Sequence, residues 1–243
     1  MSTARGDLCV AEADLSRCPL GDLPLALAER HRALSPDQQI RITVSRTLPS
    51  DTVELLLEGA GFETLSGTTR TSGRIVRARR LYTLPDFVGP HLRLLVCGLN
   101  PSLYAAETGI PFGRPGNRFW PAARRAGLIE VDRDCRAALA RGIGFTDLVK
   151  RATRRAAEIS ADEYRAGLER LRALIGVYRP EVLCFVGLEG FRSAVRKDAS
   201  AGWIPEGIAE TRAYLMPSSS GLNAHATLQA LSGHLARAAR GSP

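Results

Sequence analysis

The polar and apolar positions in the first third of the chain predict a small α/β unit. Residues 23–34 repeat apolar side chains at helical spacing, and residues 39–45 alternate with the period of a strand. Residues 50–62 predict a second helix, and residues 63–84 predict a β-hairpin. We therefore treat residues 1–84 as an accessory α/β unit. These patterns do not indicate its role.

The second predicted helix carries two further signals. Asp51 and Glu54 are spaced like the partners of a capping box at its start. The stretch LLEGAGFETL, residues 56–65, resembles the closing segment of many class I methyltransferases, but no glycine-rich cofactor loop precedes it. We therefore expect a structural or partner-binding appendage here.

A second α/β pattern follows the stretch LPDFVGPH, residues 84–91, whose proline and glycine content is typical of a linker. Apart from Arg93 and Glu181, residues 92–99 and 181–187 are apolar throughout, as expected of strands that are covered on both faces. Residues 142–149 and 212–218 predict two further strands. Helical patterns lie between these strands and after the last of them.

The best-defined of these helices covers residues 160–180. Ser160 and Glu163 form a capping box at its start, and Pro180 ends it. The alternation of strands and helices predicts an α/β fold, in which three α/β/α layers enclose a central, mainly parallel sheet. Residues 85–243 form this second domain, and the N-terminal unit is a small α/β extension to it.

Two of the predicted strands end in loops of unusual composition, GLNPS at residues 98–102 and MPSSSGLNAH at residues 216–225. Ligands of such sheets bind beyond the carboxyl ends of the strands, so the two loops predict one cleft. A P-loop, a G-x-S-x-G elbow and a dinucleotide fingerprint are all absent. The neutral polar groups, the glycines and Phe112 suit a flat, neutral, hydrogen-bonding ligand, such as a nucleobase or another heterocycle.

The charge of the chain favours a polyanionic partner. Its formal net charge is +8, and residues 114–155 carry eleven basic residues against four acidic ones. Such an excess favours contact with phosphates. The alternative interpretation is a solvated, arginine-rich surface.

Cysteine and histidine spacing predicts neither a metal nor an organic cofactor. The five cysteines include no C-x-x-C pair, and the four histidines show no metal-ligand spacing. We expect mostly reduced, partly buried thiols. The sequence contains no apolar run of membrane-spanning length and no secretory signal, so we expect a cytoplasmic protein without a membrane partner.

The stretches GLNPSLYAAETGIPFGRPGNRFW and MPSSSGLNAH, with GFTDLVKRAT between them, resemble the mismatch-specific uracil/thymine-DNA glycosylases, a branch of the uracil-DNA glycosylase superfamily. The resemblance covers about residues 85–240. It implies an enzyme that flips uracil out of a G·U or G·T mismatch in double-stranded DNA and hydrolyses its N-glycosyl bond, leaving an abasic site. Thymine and other 5-substituted uracils are further candidate bases.

The resemblance also assigns roles to individual residues. Asn100 matches the asparagine that positions the attacking water, Phe112 the ring that stacks on the flipped base, and Leu222 the wedge. Gly98, the backbone of Leu99 and Phe112, Ser219 and Ser220 are expected at the substrate. The remaining residues expected to contact DNA are Ser218, Gly221, Asn223, Arg118, Lys150 and Arg151.

Several of these residues have ordinary alternatives. Phe112 could be a core residue, Leu222 a helix-start staple and Asn117 a helix cap. We assign the following neighbours to other roles: Phe119 and Trp120 to packing, Arg124 and Arg125 to the solvated surface, and His225 to a structural or phosphate-facing position.

Two positions depart from the pattern of the branch. Ser102 stands where many members have glycine, and it would be strained if that position requires a positive φ. Ala105 stands where some bacterial members carry serine, and a small side chain there would leave room for a 5-methyl group.

Four readings of function follow. The first is a monomeric, monofunctional DNA repair glycosylase, because neither motif holds a lysine for a lyase step. We expect slow turnover, since neither motif contains a strong base or a catalytic histidine. The alternatives are a non-catalytic nucleic-acid-binding module, a glycosylase for another base such as hypoxanthine, and an N-terminal unit with an activity or partner of its own.

Overall fold

A computed structural model of the chain describes residues 11–241. The chain divides into two compact units, one ending at Leu81 and one beginning at Tyr82. No helix among residues 11–241 is both long enough and apolar enough to cross a membrane. The roles assigned to residues 1–84 and 85–243 remain predictions.

The first unit contains a four-stranded sheet and two helices. Its elements are β1 (Ala11–Leu15), α1 (Leu23–Ala33), β2 (Gln39–Val44), α2 (Ser50–Gly59), β3 (Phe62–Arg70) and β4 (Gly73–Arg80). The strand order is β1-β2-β4-β3, with β1 parallel to β2 and the other pairs antiparallel. The predicted helices, strand and hairpin are confirmed, whereas β1 escaped prediction.

One face of this sheet packs against the helices and the other is open. Ile40, Ile42 and Val44 of β2 are buried with apolar residues of both helices, while Gln39 and Arg41 are exposed. The predicted capping box of α2 is wrong. Its N-cap is a proline without a capping side chain, and the Asp51 carboxylate instead accepts the neighbouring Thr52 N–H.

The second unit alternates strands and helices as predicted. Its elements are β5 (Leu94–Gly98), α3 (Leu103–Thr108), α4 (Phe119–Arg125), α5 (Cys135–Ala140), β6 (Ile143–Asp147), α6 (Ala161–Tyr178), β7 (Val182–Val186), α7 (Leu188–Ala194), β8 (Gly202–Ile208), β9 (Thr211–Met216) and α8 (Leu228–Arg240). The predicted capping box of Ser160 and Glu163 starts α6.

The sheet of this unit has the order β6-β5-β7-β9-β8. Only β8, which was not predicted, runs antiparallel to its neighbour. Every residue of β5, β6 and β7 is buried. The α/β fold class with a mainly parallel central sheet is therefore confirmed, and β5, β6, β7 and β9 all end at the same edge.

The prediction of a linker at residues 84–91 is wrong. Leu84, Phe87 and Val88 are buried in the second unit, and the backbone of Phe87 exchanges hydrogen bonds of 2.9 and 2.8 Å with Phe145 in β6. This stretch is therefore a packed segment of the second unit, because its apolar side chains are buried and the backbone of Phe87 is hydrogen-bonded to β6.

A buried ion cluster fastens this segment to the end of β6. The Asp86 carboxylate, 3% exposed, accepts hydrogen bonds of 2.8 Å from Lys150, Arg170 and Thr146. Burial would raise the pKa of the Asp86 carboxyl, but Arg170 and Lys150 beside it bring that pKa below its ordinary value. Arg170 also donates to the backbone carbonyl of Asp147 at 2.5 Å, so the cluster fixes the last residue of β6.

Candidate active site

The loops that follow β5 and β9 line one cleft of about 530 Å³ at the carboxyl edge of the second sheet. Asn100, Phe112 and Ser218 to Ser220 all line it, so the structure brings together the two sequence motifs. Because β7 lies between β5 and β9, the two loops stand apart by the width of one strand. This separation creates the opening.

Asn100 is held in a single orientation by its amide nitrogen. That nitrogen donates to the carbonyl oxygen of Arg151 (2.9 Å) and to the Thr153 hydroxyl (2.8 Å), which in turn donates to the Arg155 carbonyl (2.9 Å). The Pro101 carbonyl oxygen lies 3.3 Å from the same nitrogen. Carbonyl oxygens only accept, so the end of the amide that faces them must be its NH₂ group. The side-chain oxygen receives no hydrogen bond from the described residues and is available to a ligand in the cleft.

Ser102 is not strained. Its φ is −70°, and its hydroxyl accepts the Ala105 N–H at 3.2 Å, which caps α3. A glycine at this position is therefore not required by the backbone, and serine adds a helix cap. Ala105 is buried and lines the cleft, so its methyl group limits the space available there.

Phe112 combines a strained backbone with a stacked ring. Its φ of +55° is unusual for a residue with a side chain, and such strain is found preferentially at functional sites. The ring stacks on Phe119 with centroids 4.4 Å apart, and Phe119 is itself buried against Trp120 and Phe145. Phe112 therefore lies between the core and the cleft, and its partial exposure leaves ring surface for a ligand.

The serines of the second motif shape their own loop. The hydroxyls of Ser218 and Ser220 accept the N–H groups of Ser220 and Leu222, each at 3.3 Å, and the Asn223 amide donates to the Ser218 carbonyl at 2.9 Å. Ser219 is almost fully buried. The loop is thus bonded internally before any ligand arrives.

Arg118 clamps the same loop. Its guanidinium donates to the carbonyl oxygens of Ser220 (2.9 Å), Asn223 (2.6 Å) and Ala226, and its backbone N–H donates to Ser219 (2.9 Å). The sequence predicts a DNA contact for Arg118. The structure assigns this side chain to the protein's own carbonyl groups, so a direct DNA contact is not supported.

Leu222 projects from the tip of this fixed loop. Its side chain is 85% exposed, and α8 begins only at Leu228, so the alternative of a helix-start staple is wrong. Gly221 beside it packs closely on the segment between α3 and α4, because a Cβ at Gly221 would lie 2.8 Å from the Gly116 carbonyl oxygen. An exposed leucine on a rigid support is consistent with the predicted wedge, which remains a prediction.

The basic residues at the cleft differ from those predicted. The Lys150 ammonium is bonded to Asp86 and to the Leu84 carbonyl and is largely buried, so it is not available to DNA. Arg151 is exposed but pairs with Glu163 at 2.6 Å. Three other exposed arginines line the cleft instead: Arg114, Arg154 and Arg155.

Asp147, the last residue of β6, is the functional candidate that the sequence reasoning missed. Its carboxyl lines the cleft next to Gly98, where an added Cβ would collide with its Oδ1 and lie 3.5 Å from the Phe112 ring. The residue is only 7% exposed, and its carboxylate accepts no hydrogen bond from residues 11–241. The available signal was the acidic residue that ends a buried strand in GFTDLV, outside the two motifs considered.

Burial raises the pKa of Asp147 to about 6, with a further rise from Asp86, against the lowering effect of Lys150 and Arg170. A carboxyl with this pKa is mostly ionised at neutral pH and still basic enough to accept a proton. Perturbed carboxyls in clefts are candidates for acid–base chemistry or for stabilising a developing positive charge.

The remaining assignments concern residues around the cleft. The Asn117 side-chain oxygen accepts the Phe119 N–H at 2.9 Å, but the N-cap of α4 is Arg118, so the alternative of an N-cap role for Asn117 is wrong. Asn117 lines the cleft. Phe119 and Trp120 are core residues, and His225 is exposed. None of the four described cysteines forms a disulfide, and Cys9 lies outside the described residues. No group of three or more potential metal ligands occurs within residues 11–241.

The fold and the cleft define an α/β protein with a preformed, partly polar site at the edge of a mainly parallel sheet. The family model of the uracil DNA glycosylase superfamily matches residues 85–238. The chain therefore belongs to the uracil DNA glycosylase superfamily, whose members are DNA N-glycosylases of DNA repair.

One solved structure with similarity to the chain is the solution NMR structure of a proposed uracil DNA glycosylase from Methanosarcina acetivorans. The two sequences are 19% identical, and the match covers 65% of this chain and 96% of the other, with a TM-score of 0.48. This likeness is too distant to carry an argument about the site.

The raised pKa of Asp147 predicts a stability cost at neutral pH. The folded state binds this proton more tightly than the unfolded state, so stability falls as pH rises from about 4 to about 6. We expect Asp147→Asn to raise the free energy of unfolding by roughly 1–3 kcal/mol at pH 8 and by much less at pH 4, as measured by urea denaturation.

The same change at Asp86 is the matched control. Its lowered pKa means that ionised Asp86 stabilises the fold, so Asp86→Asn should destabilise the protein at pH 8 and less so in acid. An equal response of both variants would show that Asp147 carries no unpaired charge.

Proposed function

We propose that the protein excises uracil from mismatched double-stranded DNA by hydrolysis, as a member of the mismatch-specific uracil/thymine-DNA glycosylase branch. The observation that carries this proposal is the fixed amide of Asn100, whose free oxygen lines a cleft that also holds an aromatic ring and a buried carboxyl. An amide held in this way can orient a water molecule without deprotonating it.

In the proposed reaction the C1′–N1 bond breaks, and its electron pair leaves with uracil as an anion. Asn100 Oδ1 accepts a hydrogen bond from the water whose oxygen then bonds to C1′. The ionised Asp147 stabilises the positive charge that develops on the sugar and receives the proton that the water releases. Orientation of the water and preorganised charge would supply most of the rate.

The base would lie against Phe112. The other side of this ring is packed on Phe119, so the stacking surface is held rigidly. Gly98 leaves room at the strand end, because any side chain there would collide with Asp147. The backbone groups of Leu99 and Phe112 remain the proposed partners of the uracil edge.

Extrusion of the base would be supported by the second loop and by the rim of the cleft. Leu222 would fill the gap left in the base stack, since an apolar wedge compensates for lost stacking. Arg114, Arg154 and Arg155 replace Arg118 and Lys150 as the proposed phosphate contacts.

A pure nucleic-acid-binding module is the less favoured alternative. A buried, mostly ionised carboxyl destabilises the fold and repels phosphates, so it brings a binding protein no benefit. Asn100 likewise has no evident use in binding alone.

The first test is a single-turnover assay on a labelled duplex with one G·U pair, followed by alkaline cleavage at the abasic site. We expect wild-type protein to cut, and Asn100→Ala to lower the rate by about 10²-fold or more while still binding DNA, because the water loses its positioning group. Gln229→Ala is the matched control, since it truncates an exposed amide side chain of α8 that does not line the cleft.

Absence of wild-type cleavage on G·U, with the duplex still bound, would reject the uracil assignment. Equal losses in Asn100→Ala and Gln229→Ala would instead indicate damage to the fold and would remove Asn100 from its proposed role.

A second prediction concerns the pH dependence of the chemical step. If ionised Asp147 assists the reaction, the single-turnover rate rises with pH through about 6 and then levels off. Asp147→Asn should be slower by about 10²-fold and should lose this inflection. An unchanged pH profile in the variant would exclude Asp147 from the reaction.

A third prediction concerns the base. Ala105 is small and lines the cleft, so we expect detectable excision of thymine or another 5-substituted uracil opposite guanine. Ala105→Val should reduce excision of 5-substituted bases more than that of uracil, because it narrows the same space. Cleavage of uracil without cleavage of any 5-substituted base by wild-type protein would refute this expectation.

A further inference from the structure

The open face of the first sheet carries a group of arginines that the proposed glycosylase reaction does not use. Arg41 of β2, Arg77 of β4 and Arg70 at the end of β3 line one depression of about 270 Å³, together with the hydroxyl residues Ser66 and Thr68. We call these five residues the arginine face. The hairpin that supplies most of them is strongly biased, since residues 64–85 contain five arginines and no acidic residue.

The register of the strands places two of these charges directly opposite each other. Arg41 of β2 pairs with Arg77 of β4, and like charges in opposite positions destabilise a sheet. Arg41 is compensated by Glu12 at 2.6 Å. Within residues 11–241, the guanidinium of Arg77 is hydrogen-bonded only to the neutral amide oxygen of Gln39, at 3.0 Å. The fold does not need this arrangement, because the core of the unit lies on the other face.

The neighbouring pair of Arg79 and Glu63 shows the arrangement expected if stability alone determined the residue types. Arg79 lies on the same face, two residues along β4, and pairs across the strands with Glu63 in contact with its carboxylate. At the next position toward the hairpin, Arg77 faces Ser66 instead of an acid. The missing carboxylate leaves Arg77 in a positive, hydroxyl-lined depression, whereas Arg41 and Arg79 are paired with acids.

Guanidinium groups and hydroxyls together match the oxygen atoms of phosphates. Arg77 and Arg70 are separated by about four residues of strand register, or roughly 13 Å of backbone. A chain of phosphates can give each arginine its own anion, whereas a single ion can satisfy only side chains that converge on it. Because the family acts on DNA, the polyanion that this surface fits is a DNA strand.

We propose that the arginine face binds the phosphodiester backbone of DNA, independently of base sequence and of damage. This second contact goes beyond the proposed excision of uracil and does not require it. Its test therefore uses an undamaged duplex, so that failure of the glycosylase assignment would leave the result interpretable.

The experiment measures the affinity of the full chain for a labelled, undamaged duplex over a range of salt concentrations. Arg70→Gln/Arg77→Gln should weaken binding several-fold at low salt and reduce the slope of log K against log salt by about 1–2, since each phosphate contact contributes about 0.9. The matched control is Arg30→Gln/Arg32→Gln, which removes two exposed charges from α1 in the helix layer of the same unit. The control should change the slope by less than half as much.

A second variant distinguishes a loss of DNA contacts from a loss of folding. Arg70→Lys/Arg77→Lys retains both charges and should preserve the slope, and circular dichroism on all variants verifies the fold. Equal slopes for the glutamine variant and the control would overturn the proposal. So would saturable binding of inorganic phosphate that the glutamine variant loses without any change in its DNA slope, because the depression would then be a site for a small anion.

Discussion

The cleft-bearing unit depends on one buried carboxylate, that of Asp86. A buried charge is tolerated only when it is paired and fully hydrogen-bonded, and here Lys150, Arg170 and Thr146 meet that requirement. These partners come from β6, from the loop after it and from α6. The cluster therefore joins the segment that carries Asp86 to three other parts of the chain. It also explains why residues 84–91 are packed like core despite a composition typical of a linker. Losing the carboxylate would remove the buried negative charge to which both Lys150 and Arg170 are bonded.

The same cluster accounts for the state of the second buried carboxyl. Arg170 donates to the Asp86 carboxylate but only to the backbone carbonyl of Asp147, so it fixes the position of Asp147 without neutralising its side chain. The two carboxyls are similarly deep, yet the pKa of one is lowered and that of the other is raised to about 6. When the pKa values of two neighbouring carboxyls are shifted in opposite directions, one group commonly has a structural role and the other a reactive role.

Sequence reasoning predicted the parts of this molecule that are set locally. Strands β5 and β7 are continuous apolar runs, α6 carries its own cap, and both motifs follow strand ends, so their meeting in one cleft follows from topology. The assignments that failed depend on tertiary partners. Nothing in the composition of the loops distinguishes Arg118 and Lys150, which are bonded to protein groups, from Arg114 and Arg154 at the cleft. Asp147 was missed for the same reason, since only its buried surroundings make it unusual.

Three of the local conflicts in the described chain concern the cleft and the arginine face. Phe112 adopts a positive φ, Asp147 is buried without a partner, and Arg77 faces Arg41 across a sheet. Proteins retain such conflicts where a requirement other than stability decides the residue. The conflicts at Phe112 and Asp147 both lie at the cleft, where the proposed reaction uses the stacked ring and the carboxylate. The third lies beside arginines that pair with Glu12 and Glu63, and the DNA strand proposed to bind there would supply the negative charge that Arg77 lacks.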